Sequence, residues 1–329
     1  MGMKTVYLGC YTNEENPDGL KILSLDESTG EMSVESSYRV SNALYQTLSP
    51  DRRYLYSCTG EGLASFRVKD AGLELTDKID IGSCVCHVDV MDGGRQVVWA
   101  DYLGGFAGSV EVDGGRFGKT KQYVHSGSGP NLPRQDKAHC HQAMPAPGGK
   151  SFCVVDLGTD EIAIYPEGKK FKTSPAGAGP RHLLFHPNGR LAFLAFELGS
   201  LVSSLSWENG EFSILDTLPT LDPGRETPVN LVAALRFTPD MKNVVVSNRG
   251  ENSLAVFGFD SATGKLSFKS RTFLSGDWPR DFIFVNDTLA LAACERSGEV
   301  VALRFDSDTG NFKEISSSGN IFRPVALTL

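Results

Sequence analysis

The 329-residue chain repeats one hairpin signature six times. Aligned on a turn rich in Pro, Asp, Asn and Gly, the first three copies read YQTLSPDRRYLYSC from Tyr45, HVDVMDGGRQVVWA from His87 and HQAMPAPGGKSFCVV from His141. The next three read LLFHPNGRLAFLA from Leu183, LRFTPDMKNVVVS from Leu235 and FIFVNDTLALAA from Phe282. Each is a short apolar run, a turn and a second apolar run, which is the pattern of an antiparallel hairpin. The copies start about 40 to 55 residues apart, the spacing of propeller blades. A second hairpin follows in the same unit. LSLDESTGEMSV (23–34), FGFDSATGKLSF (257–268) and LRFDSDTGNFKE (303–314) share D-x-x-T-G between two strands, and LSWENGEFSI and VEVDGGRFGK are shortened forms. The carboxylates of DSDTG fall far short of a calcium loop and lack its terminal Glu, so these segments read as outer turns.

Each unit therefore carries four strands, an inner hairpin followed by an outer one. A seventh unit assembles from both ends of the chain, from KTVYLGCYT and GLKILSLDESTGEMSV at the start and VALTL (325–329) at the finish. Such closure removes exposed sheet edges. The expectation is an all-β, seven-bladed β-propeller of four-stranded antiparallel blades. It occupies 1–329 as a single domain, with the ring closed by pairing of the N- and C-terminal strands. Composition agrees: 40% hydrophobic residues supply a large core, and no apolar run approaches the roughly 18 residues of a membrane helix. The opening MGMKTVYLGCYTN has no basic segment before an apolar stretch, so no secretory leader is expected. Seven cysteines, an odd and scattered set in apolar runs, suit reduced thiols in the cytoplasm. Cys84 and Cys86 form a lone C-x-C with no second pair, so no metal site and no cofactor is expected. A net charge of −8 argues against nucleic acid or a membrane surface as partner. It leaves open a locally basic pocket for a small anion. The sequence does not reveal an oligomeric state.

In antiparallel blades the start of the first strand and the end of the second share one face of the disc, and the hairpin turns lie on the other. Reading only those start and end positions yields an uneven list. His139 and His141 precede one strand and Asp156 closes the next; Arg181 and His182 precede another pair, closed by Glu197. Arg249 closes VVVSNRG, Arg280 opens the last copy in WPRD, and Glu295 with Arg296 closes it in ACERSGE. The turn face shows only turn formers with scattered Arg and Lys, such as Arg52, Arg95 and Arg190. Bland readings stand beside these. Arg181 and Glu197 could simply pair across one hairpin mouth, and His139 and His141, two apart on a strand, would point to one side and could hold a metal. Recurrence at matching positions in adjacent blades favours one convergent site near the axis.

At these residues the sequence resembles the propeller-type lactonases, a family that includes the bacterial cytosolic 6-phosphogluconolactonase and the fungal carboxy-cis,cis-muconate cyclase. The matching strings are GPRHLLFHPNGRLAFLAFEL, SNRGENSLAVF, DLGTDEIAIY, PRQDKAHCHQ, GDWPRDF and the opening YLGCYTN with LDESTG. The resemblance implies a seven-bladed propeller whose central pocket takes a small anionic lactone or a sugar phosphate. It also implies catalytic residues at His141, Arg181, Glu197 and Arg249, with Arg280 in the family's W-P-R string as a substrate contact; His139, His182 and Glu295 are expected as further substrate contacts from their places at the strand ends. Phe196 replaces the family's usual Asn, and Glu295 stands where Gln or Asn is common, adding negative charge beside the pocket. The implied reaction is hydrolysis of a sugar lactone, 6-phosphogluconolactone to 6-phosphogluconate, as in the pentose phosphate pathway of glucose metabolism. Arginines would clamp the anion and polarise the carbonyl, and His141 or Glu197 would be general base. A lactonising or cyclase enzyme, a lactonase for another sugar, and a non-catalytic interaction propeller remain as alternatives.

Overall fold

The computed structural model describes residues 2–329 except 225, 226 and 228. Seven four-stranded antiparallel sheets follow one another around a ring, and among the described residues the helical structure is a single turn at Asp92–Gly94. Six sheets take their strands in simple chain order. The remaining one pairs Pro324–Thr328 with Met3–Cys10, which pairs with Leu20–Asp26 and then Met32–Tyr38. The last strand thus lies innermost in the first blade, and the ring closes as the sequence implies.

Within each blade, position decides burial. The second strands Tyr54–Cys58, Phe152–Asp156, Leu191–Phe196, Asn243–Arg249 and Leu289–Cys294 are buried at every residue. They are correspondingly rich in Val, Ala, Leu and Phe, as strands covered on both faces must be. The outermost strands, such as Met32–Tyr38 and Arg116–Val124, alternate toward solvent. Apolar clusters fill the wedges between neighbouring blades; Val6, Leu8 and Leu23 of the first blade pack with Leu289, Leu291 and Val300 of the last.

The D-x-x-T-G segments are tight turns held by their own aspartates. Asp26 Oδ1 accepts the Ser28 and Thr29 amides, and Asp260 and Asp306 repeat the arrangement with residues two and three further on. Gly264 closes its turn at φ +74°, a conformation that favours glycine.

Candidate active site

Four of the innermost strands carry the same irregularity at nearly the same place. Pairing with the second strand slips between Val85 and His87, between Cys140 and Gln142, between Pro180 and His182, and between Pro279 and Asp281. The residues set aside by these bulges are Cys86, His141, Arg181 and Arg280. A bulge leaves one residue unpaired and re-aims its side chain. Cys86, His141 and Arg280 all line one cavity of about 310 Å³ on the face away from the hairpin turns. Glu197 and Arg249 reach the same cavity from the ends of second strands, as the sequence list anticipates. Gly250 makes the Arg249 position possible: its φ is +112°, and a Cβ there would sit 2.0 Å from the Val229 carbonyl oxygen.

Glu197 is the hub. Its Oε2 lies 2.7 Å from Arg249 Nη2 and 2.9 Å from Arg181 Nε, which is close in charge but out of line for a hydrogen bond. Its Oε1 accepts from Arg134 Nη2, and His141 Nε2 stands 3.9 Å from Oε2. Glu197, Arg181, Arg249 and His141 are all at least nine-tenths buried. Arg249 is fixed further by the Leu231 and Val232 carbonyls at 3.2 and 3.0 Å. Burial alone would raise the Glu197 pKa, but Arg249, Arg181, His141 and Arg134 outweigh it and hold the carboxyl well below the usual range. His141 moves the other way in charge: burial and then Arg181 push it well below 6.5, so the imidazole is neutral at pH 7. Burial, followed by Arg249, brings Arg181 down to about 9, still cationic at neutral pH.

The remaining residues expected from sequence fall into place differently. Arg280 lines the cavity, sits over the Tyr11 ring at 5.3 Å and approaches Glu295 at 3.6 Å. Glu295 also accepts from Arg323 Nη2, so its charge is matched rather than presented to a ligand. Arg181 is outside the cavity lining; it holds Glu197 and places Nη1 3.0 Å from His182 Nε2. His182 likewise lies beyond the lining, edge-on to His141 and His87. His139 does not join His141. The bulge breaks the two-residue alternation, and His139 spends Nδ1 on the Tyr102 carbonyl and Nε2 on Asp136 while stacking on the Tyr102 ring. That removes both the expected substrate contact and the His139–His141 metal pair. Where ligand-type atoms do gather, at His125, Cys140 and Asp156, they are occupied. His125 Nδ1 meets Asp156 at 2.8 Å, its Nε2 meets the Tyr165 hydroxyl at 3.0 Å, and Asp156 Oδ1 accepts the His139, Gly158 and Thr159 amides.

Among the aromatic and charged lining residues, the sequence list leaves out Tyr11, Tyr102 and Arg134; Tyr11 and Tyr102 stand one residue past second strands, as Glu197 does, but carry no charge to mark them. Arg134 lies in the loop ahead of the strand Cys140–Pro145 and also donates to the Tyr102 hydroxyl at 3.1 Å. Its only sequence signal is its place in the string PRQDKAHCHQ. The expectation of a featureless turn face also fails: the larger cavity, about 730 Å³, opens there around the inner ends of the same strands.

Comparison with known proteins follows the same lines. The pattern of the family described as "Lactonase, 7-bladed beta-propeller" matches residues 5–328. The 6-phosphogluconolactonase of Bacillus subtilis (strain 168) is 30% identical, over 98% of this chain and 97% of its own length. The periplasmic gluconolactonase of Pseudomonas aeruginosa superposes with a TM-score of 0.90 at 25% identity, covering 99% of each chain. A Lactobacillus plantarum protein gives the same TM-score at 27% identity and the same coverage.

Proposed function

The chain belongs to the seven-bladed β-propeller lactonase family, and from that membership we propose that it hydrolyses a negatively charged sugar lactone, with 6-phosphogluconolactone the foremost substrate. The observation that carries this reading is the charge balance around two buried carboxylates. The guanidiniums of Arg134, Arg181, Arg249, Arg280 and Arg323 face the carboxylates of Glu197 and Glu295 alone among the ion pairs of the described residues. Such a surplus favours an anion, and Arg323 offsets the Glu295 charge that the sequence sets against a phosphorylated substrate. Among the described residues no helix is long and apolar enough to cross a membrane. Seven free cysteines, six of them buried, support a reducing, cytoplasmic setting for a chain acting as one domain on the pentose phosphate route.

The division of labour follows from the geometry. Neutral His141 takes a proton from water as its oxygen attacks the lactone carbonyl carbon. Glu197, ionised and committed to arginines, is a poor proton acceptor; it positions Arg249 and Arg181. Arg249, beside His141, donates to the developing oxyanion, an interaction worth about 3–4 kcal/mol in preorganised sites. The ring C–O bond then breaks, the ring oxygen takes the proton back from His141, and the new acid group releases its remaining proton to solvent and stays near Arg249 as the carboxylate. Arg280 and Arg134, toward the mouth, hold the substrate's distal anionic group.

A pH-stat comparison of 6-phosphogluconolactone with unphosphorylated δ-gluconolactone tests the substrate class. The reading expects at least tenfold higher kcat/KM for the phosphorylated lactone, undiminished by chelator. Equal rates would remove the anionic preference, and no rate above spontaneous hydrolysis would remove the reaction.

A further inference from the structure

The two mouths of the central channel differ in kind. The lactone-face cavity is dominated by arginine, whereas the turn-face cavity of about 730 Å³ is lined by Asp89, Asp287 and Arg236. Arg236 is spoken for: its Nη2 lies 2.9 Å from Asp281 Oδ1 and 3.0 Å from the Tyr45 hydroxyl. Asp89 accepts the Val90 amide at 2.8 Å and a hydrogen bond from the Thr47 side chain, and among the described residues no basic side chain is within ion-pair distance of it. His87, 2% exposed, lines the same cavity, stacks on Tyr45 with ring centroids 4.1 Å apart, and leaves Nδ1 without a partner. Burial, with Arg236 and Arg181 nearby, keeps this imidazole neutral, and it hydrogen-bonds to the Ala143 main chain, so a vacant ring nitrogen remains for a ligand. Around these groups the wall is apolar and partly aromatic, from Leu48, Met144, Leu183, Phe237, Phe284 and Leu327. A carboxylate without an ion-pair partner and an unpartnered imidazole nitrogen inside an apolar chamber call for a cationic hydrogen-bond donor with an apolar body.

We propose that this turn-face chamber is a second binding site, distinct from the lactone site, for a small aralkylammonium ion whose ammonium group meets Asp89 and His87 and whose ring packs on Phe237 and Phe284. The neighbouring face of the ring of strands would then take a cation while the opposite face takes an anion. Nothing in this inference depends on which lactone is hydrolysed.

Isothermal titration calorimetry of the full chain with 2-phenylethylammonium chloride at neutral pH tests it. The expected result is saturable binding of one ion, with 3-phenylpropionate and 2-phenylethanol at least tenfold weaker. Asp89→Asn should weaken the ammonium at least tenfold. Leu48→Trp, which fills the chamber while keeping the carboxylate, should do the same and serves as well if the first variant does not fold. Absence of saturable binding, equal binding of the anion or the alcohol, or binding retained in the folded variants would overturn the proposal.

Discussion

Glu197 concentrates the electrostatics of the molecule in one residue. Three arginines share its buried carboxylate, and a buried charge stripped of its partner is far costlier than a surface one. Glu197→Gln should therefore lower stability by about 3–5 kcal/mol, read as a fall in the denaturant midpoint at unchanged slope, together with a loss of kcat of at least a hundredfold. Arg134 is different, being partly exposed and bonded to Glu197 and Tyr102. In steady-state kinetics Arg134→Ala should raise KM about tenfold with little change in kcat, the signature of lost substrate binding. The buried histidines set the pH response. His87, His141 and His182 are all held below the ordinary 6.5, first by burial and then by neighbouring charge, His87 down to about 3. The unfolded chain takes up protons below about 6.5 while the folded chain does not, so stability is complete above that pH and is lost as pH falls. At pH 5 His87 alone accounts for about 2 kcal/mol of that loss. Thermal midpoints should fall steadily between pH 6.5 and 5, and His87→Gln should flatten the slope; an unchanged midpoint across that range would contradict the assignment.

At the scale of elements, two kinds of local rule are at work. Turn chemistry is legible in the chain: Asp260, whose side chain caps its own turn, and Gly264 in its left-handed conformation are both announced by D-x-x-T-G. Asp260→Ala should lower the thermal midpoint slightly, without affecting lactone turnover. The bulges are not legible, because a single extra residue leaves the apolar pattern of a strand intact. This is why Arg181 and His141 could be nominated from sequence while the direction of their side chains could not. Strict alternation would send His139 and His141 the same way, and the slip between Cys140 and Gln142 separates them. Arg134 was hidden for another reason: a loop residue's reach depends on how its loop folds back, here onto Tyr102 and Glu197.

For the whole molecule, the repeat dictated nearly everything about the ring, since each blade can bury its faces only against another blade. Closure is the global step. The strand Pro324–Thr328 pairs with Met3–Cys10, and Val325 and Leu327 pack into neighbouring apolar clusters. Removing residues 324–329 should open the ring, leave an unpaired edge and give aggregation with a lowered midpoint in light-scattering melts, whereas a ring indifferent to that strand would melt unchanged. The ring also brings bulged residues from separate blades to a common axis, which no blade could do alone. The central claim is that this convergence makes neutral His141 the base and Arg249 the oxyanion donor in lactone hydrolysis. Single-turnover rates on 6-phosphogluconolactone, for the unaltered chain and for His141→Ala between pH 6.5 and 8, test it most directly. The account predicts a nearly flat profile for the unaltered chain and a loss of at least a hundredfold in the variant; full activity in folded His141→Ala would contradict it.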